Sequence, residues 1–172
     1  MALRTIVTEG DSVLHKRCRP VTNFDGRLHQ LIDDMRETLE QADGVGLAAP
    51  QVGVLRRVVL VLETNVPEGA EPYIIELVNP EIISREGDQD GPEGCLSVPG
   101  RFGLVKRPMD VTVRAQDRNG NTFEVSGHEL TARAFCHELD HLEGVVFTQL
   151  ASRMLTDEEL ETGSWRDEME DA

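Results

Sequence analysis

The feature that most constrains this chain is the sequence HELDH at residues 137–141, in which two histidines stand four positions apart. In an α-helix, residues four apart project from one face with Cβ atoms about 5–6 Å apart, so His137 and His141 can hold one metal ion. Glu138 directly follows the first histidine and can reach a water in the open position of that metal. The motif therefore predicts a helix that carries a metal-dependent catalytic centre.

The residues around this motif predict that its helix is buried. The helical pattern runs from about residue 129 to residue 143 and ends at Gly144. Leu130 and Ala134 lie on the same stripe as the two histidines. The opposite side carries Phe135, Leu139 and Leu142. Because a buried imidazole needs a polar partner, which a metal ion can supply, we favour a metal site over a pair of surface histidines.

A catalytic metal usually has three protein ligands and one open position, so a third ligand must lie elsewhere in the chain. The longer form of the motif would place a third histidine at position 147, which is Phe147. Three downstream carboxylates stand in a charged segment that we expect to be exposed: Glu158, Glu159 and Glu161. The remaining good donor is a thiolate, and Cys95 can supply it. Pro92, Pro99 and a glycine around Cys95 indicate a fixed loop that presents the side chain. On ligand types alone, zinc is the expected metal.

The segment GVGLAAPQ at residues 44–51 has the glycine spacing of a dinucleotide-binding fingerprint. That fingerprint requires a strand before it and a helix after it. Here a helical pattern precedes the segment and a β-rich stretch follows, so we reject a nucleotide site. The glycines instead allow the backbone to approach a ligand closely, and the amide of Gln51 can donate to an oxygen that develops negative charge.

Two further helices are predicted. Asp25 can cap a helix whose apolar residues share one face. These residues are Leu28, Leu31, Ile32, Met35 and Leu39. The helix should end near residues 43–44, where glycine permits a left-handed cap. Thr156 has the form of an N-cap and should begin a short C-terminal helix.

The strand patterns lie between the long helices. Residues 57–62 and 73–78 are typical of strands, with Asn79 and Pro80 ending the second. Alternating apolar residues on either side of residues 119–120, Asn-Gly, predict a hairpin. Because the strands cluster instead of alternating with helices, the fold class is expected to be α+β with a mainly antiparallel sheet.

Composition narrows the function classes. The chain has 172 residues and a formal net charge of −15, and we expect one domain over residues 1–172 with an acidic helix and tail over about 157–172. A surface with this much negative charge repels the nucleic acid backbone. The longest aliphatic run has five residues, which is too short to span a membrane. Three widely spaced cysteines and an N-terminus without an export signal predict a cytoplasmic protein.

Three segments together resemble the signature motifs of peptide deformylases: GVGLAAPQ at 44–51, EGCLS at 93–97 and HELDHLEG at 137–144. The resemblance extends from about residue 13 to about residue 150. It implies a hydrolase that removes the formyl group from the N-terminal formyl-methionine of nascent chains. It also implies a fold in which strands surround a central helix that bears the two histidines.

The resemblance further implies roles for individual residues at the metal. The implied ligands are Cys95, His137 and His141. Glu138 would transfer the proton as general base and then acid, while a metal-bound water or hydroxide attacks the formyl carbon. The family favours Fe(II), with nickel, cobalt or zinc able to occupy the site. Glu93 and Arg107 are similar to the supporting ion pair of the family.

The substrate would be held by a second set of residues. The resemblance implies that Gln51 and the backbone N–H of Leu96 stabilise the tetrahedral intermediate and that the backbone of Gly46 aligns the peptide. An apolar groove must take the methionine side chain, and our candidates for it are Val45, Leu130 and Ala134. The expected partners are N-formylmethionyl peptides of nascent chains.

Two features depart from the family pattern. Cys136 stands where the family commonly has glutamine, and because it points about 100° away from His137 we expect it in the core. The C-terminal segment is acidic, whereas it is basic and docks on the ribosome in some members, so a ribosome contact through this segment is not carried over. The alternatives are a short zincin-type peptidase and a non-enzymatic module with a closed four-ligand metal site.

Overall fold

The computed structural model describes residues 2–170 and is built around two antiparallel sheets. The five strands of the larger sheet, in spatial order, are β1 (Gly46–Ala48), β2 (Val58–Glu63), β3 (Tyr73–Glu86), β6 (Asp110–Gln116) and β7 (Thr122–His128). The smaller sheet pairs β4 (Gln89–Cys95) with β5 (Val98–Arg107). The helices are α1 (Gly26–Ala42), α2 (Leu130–Leu142), α3 (Asp157–Thr162) and α4 (Trp165–Glu170). The α+β class with antiparallel strands around a central helix is confirmed.

Strand β2 explains how the two long helices are arranged. Successive side chains of a strand point to opposite faces of the sheet. Val59 and Val61 pack in the same cluster as α2, whereas Val58 and Leu60 pack in the cluster that contains α1. The two helices therefore cover opposite faces of the larger sheet, and β2 is buried between them as its β-branched sequence predicts.

Helix α1 begins as predicted and ends at Ala42, two residues before Gly44. The carboxylate of Asp25 accepts a hydrogen bond from the N–H of Leu28 at 3.2 Å. At the other end, the left-handed residue is Asp43 with φ of 55°, not Gly44. Gly44 is needed for a different reason, because a Cβ there would lie 2.8 Å from Cδ1 of Leu96.

The predicted break after residue 78 is wrong. Strand β3 continues through Asn79 and Pro80 to Glu86, with a register shift against β6 between Val78 and Glu81. Asn79 adopts a φ of 50°, and its side-chain amide bonds both the N–H and the carbonyl of Val21 at 2.8 and 2.9 Å. A long-range contact thus stabilises a β-bulge at the position where the local sequence predicts the end of the strand.

The stretch around Cys95 is a β-hairpin and not the predicted loop. Cys95 is the last residue of β4 and pairs with Val98, the first residue of β5, across a tight turn. The chain after α2 returns along β5, where the N–H of Leu155 donates to the carbonyl of Phe102 at 2.8 Å. The hairpin that presents the thiol is therefore supported on its outer edge.

The predicted hairpin and the two remaining predicted helices are confirmed. β6 and β7 pair around a turn at Asn119 and Gly120. Helix α2 is buried over nearly its whole circumference. The hydroxyl of Thr156 accepts the N–H of Glu159 at 3.2 Å and caps α3. Across residues 2–170, no helix combines the length and the apolar character needed to cross a membrane.

Candidate metal centre

The hairpin end and helix α2 bring together three atoms that could ligate a metal ion. The Sγ atom of Cys95 lies 3.3 Å from Nε2 of His141, which in turn lies 3.3 Å from Nε2 of His137. The ligand atoms of all three residues lie within 4.8 Å of one another, and they form the only such group in the described part of the chain. The alternative carboxylate Glu159 instead pairs with Arg153.

The donor set fits a divalent transition metal. Two imidazole nitrogens and a thiolate are ligands that suit Zn²⁺ and Fe²⁺. Both histidines are buried, while Cys95 keeps partial exposure. When both Nε2 atoms are unprotonated and Cys95 is a thiolate, their lone pairs converge at 3.3 Å, an arrangement that a cation between them stabilises.

The carboxylate of Glu93 orients the first histidine. It accepts a hydrogen bond from Nδ1 of His137 at 2.7 Å, two from Arg107 at 2.6 and 3.0 Å, and one from Arg133 at 3.0 Å. Burial opposes this charge, but the hydrogen bonds from His137 and Arg107 lower the pKa of Glu93 to about 2. With its Nδ1–H donated to Glu93, His137 presents Nε2 to the metal position.

The predicted pair of Glu93 and Arg107 is therefore present, and it belongs to a larger network than the sequence indicates. Arg107 also donates to Asp140 at 2.7 Å, and Arg133 also donates to the carbonyl of Val105 at 2.9 Å. Sequence reasoning missed Arg133 and Asp140. A signal for them was available, because charged residues within a helix that is otherwise buried all round need partners.

The two histidines differ in their electrostatic surroundings. Burial lowers the pKa of His137, but the neighbouring charge of Glu138 and the contacts with Cys95 and Glu93 raise that pKa well above its usual value. The pKa of His141 is well below its usual value because of burial and the nearby His137. Within residues 2–170, Nδ1 of His141 is buried without a hydrogen-bond partner.

Glu138 lies next to the centre in a buried position. Its Oε2 is 4.0 Å from Nε2 of His137, and its Oε1 is buried with no partner among residues 2–170. Burial raises the pKa of this carboxyl to about 7. Gly46 on β1 makes room for it, since a Cβ at that position would overlap Oε2 of Glu138.

Gln51 presents its amide nitrogen to the same centre. Its Oε1 accepts the N–H of Ala48 at 2.9 Å, which orients the amide. Its Nε2 donates to Oγ of Ser97 at 3.0 Å and to Sγ of Cys95 at 3.4 Å. Ser97, which is fully buried and was missed by sequence reasoning, thus helps to hold this amide in place.

A cavity of about 460 Å³ opens onto the centre. Its lining includes every residue predicted to contact substrate: Val45, Gly46, Gln51, Leu96, Leu130 and Ala134. Ala134 is buried, whereas Val45 and Leu130 are partly exposed at the opening together with Phe102, which sequence reasoning also missed. Cys136 does not line this cavity and packs in the core as expected.

These features define a class of protein, the metal-dependent hydrolases that carry two histidines and a glutamate on one buried helix. The family model described as "Polypeptide deformylase" matches residues 3–156. The chain belongs to the polypeptide deformylase family, whose members are metal-dependent enzymes that remove the formyl group from the N-terminus of nascent chains.

Individual relatives agree with this assignment. A peptide deformylase of Caldanaerobacter subterraneus subsp. tengcongensis is 53% identical over 161 residues, which cover 94% of this chain and 97% of the relative. The crystal structure of a peptide deformylase from Legionella pneumophila is similar with a TM-score of 0.80 and 44% identity, covering 88% of this chain and 87% of that chain. A Met-Ala-Ser-bound peptide deformylase from Acinetobacter baumannii has a TM-score of 0.80 and 33% identity, covering 87% and 98%.

Proposed function

We propose that this chain deformylates N-formylmethionyl peptides at a centre in which Cys95, His137 and His141 hold Fe(II). The observation that carries the proposal is the convergence of the three ligand atoms beside Glu138 at the bottom of the cavity. When bound, the metal acts as a Lewis acid that lowers the pKa of water and polarises the formyl carbonyl. Zinc, nickel or cobalt could occupy the same ligands in a purified sample.

Glu138 is proposed to move the proton. Its carboxylate is positioned to accept a proton from the attacking water and to deliver it to the departing amine nitrogen. The free Oε1 is available for this exchange because no described residue bonds it.

Gln51 and the backbone N–H of Leu96 are proposed to stabilise the negative oxygen of the tetrahedral intermediate. The hydrogen bonds of Gln51 to Ala48 and Ser97 hold its amide before the substrate arrives. Donors fixed in advance stabilise developing charge without reorganisation, and removing one typically costs about 2.7–4 kcal/mol of activation free energy.

The peptide is proposed to lie along Gly46 with its methionine side chain against Val45, Leu130 and Ala134. All four residues line the cavity, and the structural relative from Acinetobacter baumannii binds the peptide Met-Ala-Ser. A formyl carbon bears only hydrogen, so a narrow centre can admit it and exclude an acetyl group. Ala134→Trp should fill the groove and raise KM sharply, and an unchanged KM would remove this residue from the groove.

The setting proposed for this activity is the cytoplasm, where nascent formylated chains emerge. We propose that the whole chain forms one catalytic domain and that neither nucleic acid nor a membrane is a partner. Ribosome docking is not proposed for the acidic helix α3, which carries Asp157, Glu158 and Glu159 in its first turn.

The test is formate release from formyl-Met-Ala-Ser by protein purified without oxygen, with elemental analysis of the same sample. We expect stoichiometric metal and release of formate, and no cleavage of internal bonds in an unblocked peptide of the same sequence. Cys95→Ser should lose the metal and the activity, while Cys136→Ser, which changes a core cysteine, serves as the matched control. Normal metal content and activity in Cys95→Ser would contradict the proposed centre.

A further inference from the structure

One charged side chain in the cavity wall has a nitrogen atom that the function proposed above does not use. Arg133 lies on α2 one turn before His137, and its side chain is only 9% exposed. Its Nη1 donates to Oε1 of Glu93 at 3.0 Å and to the carbonyl of Val105 at 2.9 Å. These two bonds fix the guanidinium, so its other nitrogens have a defined position.

The second terminal nitrogen, Nη2, makes no hydrogen bond to any residue between 2 and 170. It lies beside Gly91 of β4, 3.7 Å from the place where a Cβ would stand. Strand alternation turns Gly91 toward the same side as Glu93 and Cys95, which face α2. Because Gly91 has no side chain, β4 leaves this N–H uncovered, and Arg133 lines the same cavity as Ala134.

Nη2 is not fully buried, and a charged N–H that keeps contact with solvent in a cavity wall can donate to a ligand that brings an acceptor. The thioether of methionine is only a weak acceptor. Methionine sulfoxide has the same chain length but carries a polar oxygen on the sulfur. The wall therefore fits an oxidised methionine better than an entirely apolar groove would.

We propose that Arg133 enables the enzyme to bind and deformylate chains that begin with formyl-methionine sulfoxide, with Nη2–H donating to the sulfoxide oxygen. This inference rests on the proposed function and adds a substrate class to it. The reaction is the same hydrolysis: water cleaves the formyl C–N bond, formate and a free amine are released, and the sulfoxide is unchanged. No oxidant or reductant is needed.

The test compares three peptides that differ only in the first side chain: formyl-Met-Ala-Ser, formyl-Met(O)-Ala-Ser and formyl-norleucyl-Ala-Ser. The quantity measured is the ratio of kcat/KM for the sulfoxide peptide to kcat/KM for the norleucine peptide. Because a general loss of activity affects both peptides equally, the ratio isolates recognition of the sulfoxide oxygen. In Arg133→Leu we expect this ratio to fall by about tenfold or more, as for the loss of a hydrogen bond to a charged donor.

Arg107→Lys is the matched control. Arg107 binds the same carboxylate of Glu93 but is not part of the cavity wall. This variant should lower activity on all three peptides and leave the ratio unchanged.

Each outcome separates the inference from the function on which it rests. If the unaltered enzyme fails to release formate from formyl-Met-Ala-Ser, the proposed function is wrong. If it releases formate but Arg133→Leu leaves the ratio unchanged, the role of Arg133 is wrong. An equal fall of the ratio in Arg107→Lys would also overturn the role of Arg133, because the change in the ratio would then come from the shared partner Glu93.

Discussion

The inner end of the cavity, here called the floor, consists of buried charged residues, whereas its opening, the mouth, consists of exposed apolar residues. At the floor, Glu93 and His137 are almost fully buried, and Glu93 accepts four hydrogen bonds, two of them from Arg107, which lies behind the cavity wall. At the mouth, Val45, Phe102 and Leu130 expose between 39% and 45% of their surface. A saturated network of buried charges fixes geometry, whereas exposed apolar side chains contact many partners without fixing any. The floor therefore suits a reaction whose geometry is the same for every substrate. The mouth suits nascent chains whose sequences differ.

Glu138→Gln gives the largest expected effect and tests the floor directly. The amide keeps the shape of the side chain but cannot accept the proton, so kcat should fall by about 10²–10⁴-fold, the usual contribution of general acid–base catalysis. Formate release and metal content measured on one sample check this. Metal should remain stoichiometric, and near-normal kcat would exclude the proposed proton transfer.

Glu93→Gln should weaken the network that orients His137, a proposed metal ligand. The amide cannot accept all four hydrogen bonds and cannot balance two guanidinium groups, so metal affinity should fall by about 10–100-fold, as for other residues that hold a ligand. Competition with a chelator measures this affinity. Glu81→Gln, which alters an exposed carboxylate on β3, provides the control. Equal affinities for both variants would show that the floor does not depend on this network.

Phe102→Ala tests the mouth. Loss of a half-exposed ring should raise KM for formyl-Met-Ala-Ser by about three- to tenfold and leave kcat unchanged, since one such contact contributes about 1 kcal/mol of binding. Steady-state kinetics separate the two constants. A fall in kcat without a change in KM would mean that the ring acts on the chemistry and that the contrast between floor and mouth is wrong.

A substitution of Asp34 tests whether a carboxylate that accepts several hydrogen bonds also stabilises the fold away from the cavity. Although burial raises the pKa of Asp34, hydrogen bonds from Gln30, the N–H of Ala2 and Arg4 lower it below the usual value. Its stabilisation is therefore present above the unfolded-state pKa and lost as the pH falls through the folded-state pKa. We expect Asp34→Asn to lower the free energy of unfolding at pH 7 by about 1–2 kcal/mol.

Urea unfolding at a series of pH values measures this effect. The difference between the variant and the unaltered protein should shrink as the pH falls through the folded-state pKa of Asp34, which lies below its usual value. Asp88→Asn, at a carboxylate with 72% of its side chain exposed, is the control and should show little difference at any pH. A constant difference for Asp34→Asn from pH 7 to pH 2 would contradict the electrostatic explanation.

Local sequence predicted the helices better than it predicted the strands. Caps and periodicity located α1, α2 and α3 because these signals lie within one or two turns of the residues they affect. The bulge at Asn79 was missed because its support comes from Val21, 58 residues away. The hairpin around Cys95 was missed because its glycines and prolines are also typical of a loop, and only pairing with β5 distinguishes the two.

The spacing of His137 and His141 and the position of Glu138 between them can be read directly from the sequence, because helix geometry converts a spacing of four residues into a shared face. Three contacts cannot be read from the sequence and come from packing: the sulfur of Cys95 meets these nitrogens, Gly46 leaves room for Glu138, and Arg133 lines the cavity. The reason is physical: local spacing is set by backbone dihedrals, whereas these contacts depend on how the hairpin, β1 and α2 pack against one another.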